Sequence, residues 1–524
     1  MSLLSINNLS LSIRGAPILR DVSFDIGRGE TVAVTGESGS GKSMTALSVM
    51  QLLPDGAECS GTVTLDGAQV TAMSEPHLCD LRGDTVGMVF QEPMTALNPV
   101  QTIGTQVAET VRLHRPDLDP TRQAAETLVR VGLPPDVVPM SRYPHELSGG
   151  QRQRVVIAIA IACGPKLLIA DEPTTALDVT TQAQILDLLR QLAREDGMGL
   201  MMITHDLAVV GEMADRIVVM RHGEVVETGQ TLHLLRAPQH AYTRALLAAS
   251  THMADLPPAR ADAPLLQVRE VVRDYAGFRR VPFAPPQVHR AVDHVSFDIA
   301  KGERVGLVGE SGCGKSTLTR AILGLEPVQG GSITLGGQPV NLDNRGIRSR
   351  MQVVFQDPYG SFNPRHRVAR LLSEPFFALD TPPENTSGLI SEALTAVGLS
   401  PDDRNKYPHE FSGGQRQRLA IARALIIRPD LVIFDEAVSA LDVSVRAQIL
   451  DLIAELCGQY GLTYLFISHD LQVVRSITDR VMVMRQGRIV EAGATALVLE
   501  TPQDPYTRSL IAAAPRLPEG VGWA

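Results

Sequence analysis

The stretch GESGSGKS at residues 36–43 returns almost unchanged as GESGCGKS at residues 309–316. Both copies fit the pattern G-x-x-x-x-G-K-[ST], in which glycines permit a tight turn whose backbone N–H groups point inward and bind phosphate. An apolar strand-like run precedes each loop, and the amphipathic helix predicted after it adds the positive end of a helix dipole. Because one such pattern arises by chance in roughly a few per cent of chains this long, two copies predict two nucleotide sites.

The chemistry of such a loop assigns a role to each part of it. Lys42 and Lys315 are expected to reach the β- and γ-phosphates, and the hydroxyls of Ser43 and Ser316 are expected to ligate Mg²⁺. The predicted nucleotide-binding residues of the two loops are Gly36, Glu37, Ser38, Gly39, Ser40, Gly41, Lys42, Ser43 and Met44, and Gly309, Glu310, Ser311, Gly312, Cys313, Gly314, Lys315, Ser316 and Thr317.

Further segments repeat in the same order after each loop. The pairs are VFQEP and VFQDP (Gln91, Gln356), LSGGQRQR and FSGGQRQR (from Leu147 and Phe411), LLIADE and LVIFDE (ending at Glu172 and Glu436), and THD and SHD (His205, His469). The last three pairs share one offset of 264 residues. Self-similarity over so long a period indicates two duplicated domains, because solenoid repeats have much shorter periods.

Length and composition agree with two globular domains. A chain of 524 residues exceeds what one hydrophobic core usually supports. The net charge of −10, without long runs of one sign, argues against nucleic acid as the main partner. Five scattered cysteines suit a reducing cytoplasm. With no apolar run long enough to cross a bilayer and no signal peptide pattern, we expect a soluble chain whose membrane role comes through a partner.

The predicted domains are residues 1–250 and 265–524, joined by a Pro- and Ala-rich linker at residues 251–264. The segment RRVPFAPPQVHR at residues 279–290 is expected to be a surface loop. Within each half, apolar strands alternate with helical segments and end on polar residues. This order predicts an α/β fold with parallel sheets covered by helices, and ligands at the carboxyl ends of the strands.

Phosphate loop, glutamine, LSGGQ signature, Asp-Glu pair and histidine stand in the order that is typical of ATP-binding-cassette ATPases, and the chain resembles that family over nearly its whole length, twice. The signature is the most specific of these motifs. The resemblance implies two tandem P-loop NTPase domains, each with a RecA-like parallel-sheet core, an antiparallel β subdomain and an α-helical signature subdomain. It also implies ATP and Mg²⁺ as cofactors.

The family resemblance implies catalytic roles for residues at strand ends. Glu172 and Glu436 resemble the general base that polarises the attacking water, and His205 and His469 would hold that water in line. The implied Mg²⁺ residues are Ser43, Gln91 and Asp171 in the first half and Ser316, Gln356 and Asp435 in the second. Adjacent residues at a strand end point in different directions, so the aspartate can serve the metal and the glutamate the water. Both halves keep this set, which predicts two hydrolytic sites.

The signature residues are expected to bind nucleotide across the two halves. They are Ser148, Gly149, Gly150 and Gln151, and Ser412, Gly413, Gly414 and Gln415. Each signature is expected to open a helix whose N-terminus faces an anion. In the family that anion is the γ-phosphate held by the other half, which would pair the loop at Lys42 with Ser412 and the loop at Lys315 with Ser148. ATP would then hold the halves together, and hydrolysis would release them.

The two sites are expected to differ at the aromatic residue that stacks on adenine in this family. Tyr275 is the candidate in the second half. The corresponding strand of the first half, LSLSIRG, offers no aromatic residue and leaves Arg14. We therefore expect the first site to hold adenine less tightly.

The ends of the two halves favour one branch of the family. PQHAYTRALLAAS at residues 238–250 and PQDPYTRSLIAAAP at residues 502–515, with YPHE before each signature, resemble the peptide and nickel importers in a fused form. That branch implies two integral membrane permease subunits, an extracytoplasmic solute-binding protein, a peripheral position on the cytoplasmic face of the plasma membrane, and no contact with the transported solute. Dipeptides, longer peptides, glutathione, peptide antibiotics and nickel complexes all remain open as solutes.

Two other classes fit a tandem cassette chain. One is an ATPase that acts on ribosomes in translation, which normally has a long charged helical linker. The short Pro-rich linker and the acidic balance argue against it. The other is an exporter ATPase, which the tails disfavour.

Overall fold

The computed structural model describes residues 2–91, 93–175, 177–259, 262–276, 288–341, 344–357, 360–518 and 520–521. They form two halves built to one plan. The loop predicted at residues 279–290 lies outside the described residues, apart from its last three residues, which begin a strand. The predicted domain boundaries stay predictions.

The described residues of the first half form ten strands in two sheets. The strands are β1 (Ser2–Ile13), β2 (Ala16–Gly27), β3 (Thr31–Thr35), β4 (Ala57–Leu65), β5 (Ala68–Gln69), β6 (Val86–Val89), β7 (Leu167–Asp171), β8 (Gly199–Ile203), β9 (Arg216–Arg221) and β10 (Glu224–Gln230). An antiparallel sheet has the order β2-β1-β4-β5, and a six-stranded sheet has the order β10-β9-β3-β8-β7-β6. The latter is parallel except at its β9–β10 edge.

The helices of the first half are α1 (Lys42–Met50), α2 (Glu75–Asp84), α3 (Pro93–Ala96), α4 (Ile103–His114), α5 (Pro120–Arg130), α6 (Gly149–Ile161), α7 (Val179–Asp196), α8 (Leu207–Met213), α9 (Thr231–Arg236) and α10 (Ala241–Ser250). Short 3₁₀ turns lie at Val70–Ala72 and Pro144–Glu146. Helices α3 to α6 form one helical insertion between β6 and β7, and α6 follows the signature.

The second half repeats this architecture. Its strands are β11 (Pro264–Ala276), β12 (Val288–Ala300), β13 (Arg304–Val308), β14 (Gly330–Leu335), β15 (Gln338–Pro339), β16 (Met351–Val354), β17 (Leu431–Asp435), β18 (Tyr464–Ile467), β19 (Arg480–Arg485) and β20 (Arg488–Ala494). The sheet orders, β12-β11-β14-β15 and β20-β19-β13-β18-β17-β16, match those of the first half strand for strand.

The helices of the second half are α11 (Lys315–Ile322), α12 (Arg345–Ser349), α13 (Val368–Ser373), α14 (Thr386–Ala396), α15 (Gly413–Leu425), α16 (Val443–Tyr460), α17 (Leu471–Ile477), α18 (Thr495–Glu500) and α19 (Pro505–Ala513). Further 3₁₀ turns lie at Glu374–Ala378, Pro401–Asn405 and Pro408–Glu410.

Each parallel sheet is buried on both faces. In β7, Leu167 and Ile169 pack into the core shared with the antiparallel sheet, whereas Leu168 and Ala170 pack into the core shared with the helices. A strand covered on both sides needs apolar residues at every position, which explains the continuous apolar runs in the sequence. The predicted α/β fold with two cassette domains is confirmed.

Strand register brings the predicted catalytic residues to one edge of each sheet. In the first half Asp171, the last residue of β7, pairs in parallel with Ile203, the last residue of β8. Glu172 directly follows Asp171, and His205 lies two residues after Ile203. The second half has the same arrangement, with Asp435 opposite Ile467. In the described ranges, none of the helices is both long and apolar enough to span a bilayer.

Candidate active sites

Each phosphate loop curls around its own lysine. Lys42 Nζ donates hydrogen bonds to the carbonyl oxygens of Gly36 (2.7 Å) and Glu37 (2.8 Å), and Lys315 repeats this geometry in the second half. Burial lowers the pKa of Lys42, against the raising effect of nearby carboxylates. Gly41 precedes α1 with a φ of 101°, a conformation that glycine adopts without strain. The loop is therefore preformed, with its ammonium group enclosed where phosphate would bind.

Asp171 has the environment expected of a cation ligand. Burial raises the pKa of this carboxyl group, while a hydrogen bond from Ser43 acts in the opposite direction. Its Oδ1 atom is buried and has no hydrogen-bond partner among the described residues. A buried carboxylate oxygen without a partner is costly, and a divalent cation would satisfy it. Asp171 and Ser43 therefore fit a Mg²⁺ ion. The pKa of Asp435 is also raised by burial.

The predicted general bases have a strained backbone conformation, and the carboxylate of each lies beside a histidine. Glu172 and Glu436 have φ values of 47° and 51°, in the left-handed region that costs a non-glycine residue about 1–3 kcal/mol. His205 Nδ1 lies 3.1 Å from Glu172 Oε1, and His469 Nδ1 lies 3.5 Å from Glu436 Oε1. The structure thus brings together in each half the two residues that were predicted to be catalytic.

The two glutamates differ in their remaining contacts. Glu172 Oε2 accepts hydrogen bonds from Thr175 Oγ1 (2.8 Å) and Gln91 Nε2 (2.9 Å). Burial alone would raise the pKa of Glu172, but the bonds from His205 and Thr175 and the nearby positive charge outweigh it and lower the pKa to about 2. The pKa of Glu436 is also lowered, with His469 again opposing burial. Both bases are therefore ionised at neutral pH.

The side-chain amides of Gln91 and Gln356 have different hydrogen-bond partners in the two halves. Gln91 Nε2 donates a hydrogen bond to the predicted base Glu172, whereas Gln356 Nε2 lies 3.3 Å from Ser439 Oγ. Both glutamines were predicted to ligate Mg²⁺. In this structure their amide nitrogens face the glutamate or its neighbour, so the placement of these side chains at the metal stays a prediction.

Each signature begins a helix, as predicted. Ser148 caps α6, since its Oγ accepts a hydrogen bond from Gln151 N (3.3 Å), and Gln151 Oε1 in turn accepts one from Ser148 N (3.0 Å). Ser412 and Gln415 form the same capping box on α15. Gln151 and Gln415 were predicted to bind nucleotide, and their structural role as capping residues was not anticipated. Their side chains fix the helix N-termini that would face phosphate.

The loop of each half contacts the other half. Ser38 N donates a 2.9 Å hydrogen bond to Asp442 Oδ1, and Ser444 Oγ lies 2.6 Å from Glu37 Oε1. In the opposite sense, Thr180 Oγ1 lies 2.9 Å from Glu310 Oε1. These partners stand at the N-termini of α16 and α7.

The same two N-termini pack against the signatures of their own halves. A Cβ atom placed on Gly150 would lie 2.4 Å from Thr181 Cγ2, and one on Gly414 would lie 2.4 Å from Val445 Cγ1. Each signature is thus attached to a helix end that contacts the sibling's phosphate loop. This contact chain supports the predicted pairing of Lys42 with Ser412 and of Lys315 with Ser148.

Two tyrosines in the tails contact the loops and were missed by sequence analysis. Tyr242 Oη accepts a hydrogen bond from Glu37 N (2.9 Å), and Tyr506 Oη accepts one from Glu310 N (3.1 Å). Both rings are buried, and burial raises the pKa of each phenol to about 12. The signal was the motif YTR, which occurs at the same offset in both tails.

Tyr275 lies beside the second phosphate loop. Its Oη is 2.6 Å from Glu326 Oε2 and 3.4 Å from the hydroxyl of Thr317, in the helix that follows the loop. The Arg273 guanidinium lies 4.7 Å from the ring centroid. These contacts hold the ring rigidly next to the site, which supports its predicted role under adenine.

Strand register assigns a different equivalent in the first half from the one expected. Ile6 and Val268 each pair with the phenylalanine of an SFDI segment, which aligns β1 with β11. Counting from this match, Ile13 occupies the position of Tyr275. Arg14 follows it in the tight turn before β2, with a φ of 51°. The first half thus presents an aliphatic side chain where the second presents a phenol.

Two protein-family models match this chain, and both agree with the geometry described above. Residues 19–175 and 292–439 match the ABC transporter family, and residues 226–268 and 490–522 match the oligopeptide/dipeptide transporter C-terminal region. The glutathione import ATP-binding protein GsiA of Escherichia coli strain K12 is 45% identical over 562 residues, covering 98% of this chain and 90% of the relative. The same protein of Shigella boydii is also 45% identical, over 561 residues, with the same coverage.

Among solved structures, cbiO1 of Clostridium perfringens, part of the cbiONQ ABC transporter complex, is 27% identical to this chain. The match covers 46% of this chain and 93% of the cbiO1 chain, with a TM-score of 0.40. The two cassettes, with their motifs complete in each, and the tails that follow them lead to one conclusion. This chain belongs to the ABC transporter family, as a fused pair of ATPase domains of the peptide importer type.

Proposed function

We propose that this chain hydrolyses ATP at two composite sites and thereby drives a membrane importer for short peptides, with glutathione as the first candidate solute. The reciprocal contacts between each phosphate loop and the sibling's α7 or α16 carry this proposal, because they give each nucleotide access to groups from both halves. The names of the relatives, glutathione import ATP-binding proteins, support the choice of solute.

In this proposal each site divides its work between the halves. At the first site Lys42 and the loop N–H groups bind the β- and γ-phosphates, and the α15 N-terminus of the sibling adds its dipole at the γ-phosphate. Glu172 accepts the proton of the attacking water, and His205 keeps that water in line. Lys315, Glu436, His469 and the α6 N-terminus perform the same roles at the second site.

Magnesium has a place in this arrangement. Ser43, Gln91 and Asp171 would hold it at the first site, and Ser316, Gln356 and Asp435 at the second. When bound, Mg²⁺ neutralises charge that develops on the phosphates. The partnerless Oδ1 of Asp171 supports the assignment at the first site.

The partners follow from the branch of the family. We infer two permease subunits in the membrane, a peripheral position of this chain on their cytoplasmic side, and an extracytoplasmic binding protein that delivers the solute. Closure of the two halves on ATP would move the permeases, and hydrolysis would reset them. This chain would contact neither the solute nor nucleic acid.

Reconstitution tests the proposal. The chain is purified with candidate permease subunits, inserted into liposomes and supplied with a candidate binding protein. We expect ATP-dependent uptake of glutathione or a short peptide, and its loss in the double variant Glu172→Gln/Glu436→Gln. Movement of solute in the export direction, or recovery of the chain with ribosomes instead of permeases, would contradict the proposal.

A further inference from the structure

The C-terminal tail of the second half crosses onto the first half. After α19, Arg516 N donates a 3.3 Å hydrogen bond to Glu212 Oε1 on α8. Leu517 packs against the core of the first half, and Val521, only 3% exposed, is a member of that core. This part of the tail thus lies against the apolar core of the other cassette.

Gly211 shapes the surface that receives this tail. A Cβ atom at Gly211 would lie 2.8 Å from Pro518 Cδ and 3.1 Å from its Cγ. Glycine within a helix costs about 0.5–1 kcal/mol relative to alanine, so a helical glycine calls for a packing reason. Contact with Pro518 is that reason. The position 264 residues later is Arg475, so the glycine is specific to the half that accepts Pro518.

The tail of the first half makes the reciprocal crossing. His252, just after α10, lies with Nε2 2.6 Å from Asp451 Oδ1 on α16 of the second half. Ala254 and Leu256 then pack against the core of the second half. Helix α10 itself contacts α16, and α19 contacts α7. Both tails therefore follow one rule, in which the segment after the last helix leaves its own half.

The crossing tails line one cavity together with the two predicted catalytic histidines. A cavity of about 170 Å³ is lined by His205 and His469 and also by Ser250 and Pro515, from the two tails. Among the described residues, none of the tail-to-sibling contacts uses a residue assigned to nucleotide. They are apolar contacts with a few polar pairs, and they involve protein groups alone.

We propose that the two crossed tails, residues 250–256 and residues 514–518 together with Val521, form a clasp that keeps the halves in contact when no nucleotide is bound. ATP then closes the two sites from a state that is already aligned. A fused chain gains effective concentration from its linker, and the clasp adds a fixed orientation to it. The clasp extends the proposed function but does not depend on hydrolysis or transport.

Distance measurements by double electron–electron resonance on the spin-labelled full-length chain test the clasp. The exposed Cys59 and Cys79 are replaced by serine, and two pairs of spin labels are compared. The clasp pair joins exposed positions of contacting helices, Ala248 on α10 and Glu455 on α16. We expect the same distance for this pair without nucleotide and with ATP bound to the non-hydrolysing Glu→Gln background.

The second pair reports on closure at the first site. It joins the exposed Pro17 of the first half to the exposed Asn405 near the signature of the second half. We expect its distance to shorten by several ångströms with ATP. Separation of the clasp pair in the nucleotide-free chain would overturn the clasp. An immobile closure pair would instead count against the proposed function.

The variant Gly211→Gln places a helix-compatible side chain where Pro518 sits. We expect its clasp pair to broaden and lengthen without nucleotide, and the KM for ATP to rise several-fold while kcat changes little. Gly458→Gln is the matched control, because Gly458 is also helical but no atom of the described residues lies within 4 Å of its added Cβ. If Gly211→Gln folds poorly, a chain that ends at Ala514 is measured instead. A clasp pair unchanged in the folded variant would refute the proposal.

Discussion

The difference between Tyr275 and Ile13 predicts two nucleotide affinities in one chain. Stacking of a nucleobase on an aromatic side chain contributes about 1–3 kcal/mol, and 1.4 kcal/mol corresponds to a tenfold change in affinity. Tyr275→Ala should therefore weaken binding at the second site about 5- to 150-fold. The upper part of that range is expected, because Arg273 and Glu326 already fix the ring and little ordering cost remains on binding.

Two companion variants separate the ring from its hydroxyl group. Tyr275→Phe keeps the stacking face and loses only the bonds to Glu326 and Thr317, so we expect about a twofold effect. Ile13→Tyr should strengthen the first site, since it supplies the missing ring at the matching register.

Titration calorimetry with Mg-ADP measures both sites. ADP lacks the γ-phosphate that would join the halves, so the ADP affinity of each phosphate loop is measured separately. The wild-type chain should show one tight and one weak site, and Tyr275→Ala should remove the tight one. Equal affinities in the wild type would refute the predicted asymmetry. A Tyr275→Phe variant as weak as Tyr275→Ala would show that the hydroxyl, and not the ring, carries the effect.

Three further predictions concern the loops and bases. Glu172→Gln and Glu436→Gln should each lower phosphate release, and the double variant should lose about 10²-fold or more, while ATP still binds; full activity in either single variant would show its site to be idle. Tyr242→Phe leaves the N–H group of Glu37 without its acceptor, and the lost hydrogen bond costs about 1 kcal/mol. ADP should therefore bind the first site about fivefold more weakly in the same calorimetry. Gly36→Ala should abolish that binding, because its Cβ would lie 2.2 Å from the Met220 carbonyl oxygen; retained binding would contradict the loop geometry.

Much of the fold could be predicted because the decisive residues are local. The phosphate loops require glycine conformations that few other motifs share, and the apolar runs before Asp171 and Asp435 can only be strands buried on both faces. Strand ends then place carboxylate and histidine together, as the register of β7 against β8 shows. The pairing of Glu172 with His205 was accessible from sequence for this reason.

The tails could not be predicted in the same way. Which half they contact depends on packing between positions hundreds of residues apart, such as Pro518 with Gly211. Nothing in the local pattern of α8 marks its glycine as a receptor for a proline. Likewise, the sequence around Tyr242 is typical of an ordinary buried aromatic residue. Its contact with the phosphate loop is formed only by the folded structure. Long-range packing decided both roles.

Duplicated motifs also conceal differences between the two sites. Thr175 and Ser439 occupy equivalent positions and both carry a hydroxyl group, so the sequence suggests one role. In the structure Thr175 bonds to the carboxylate of its glutamate, whereas Ser439 Oγ bonds to a backbone carbonyl and meets Gln356. The β-branched threonine has fewer rotamers available, which favours a fixed partner, while serine is free to turn. The first glutamate is therefore anchored by three side chains, and a complete motif in both halves does not make the two ATPase sites equal.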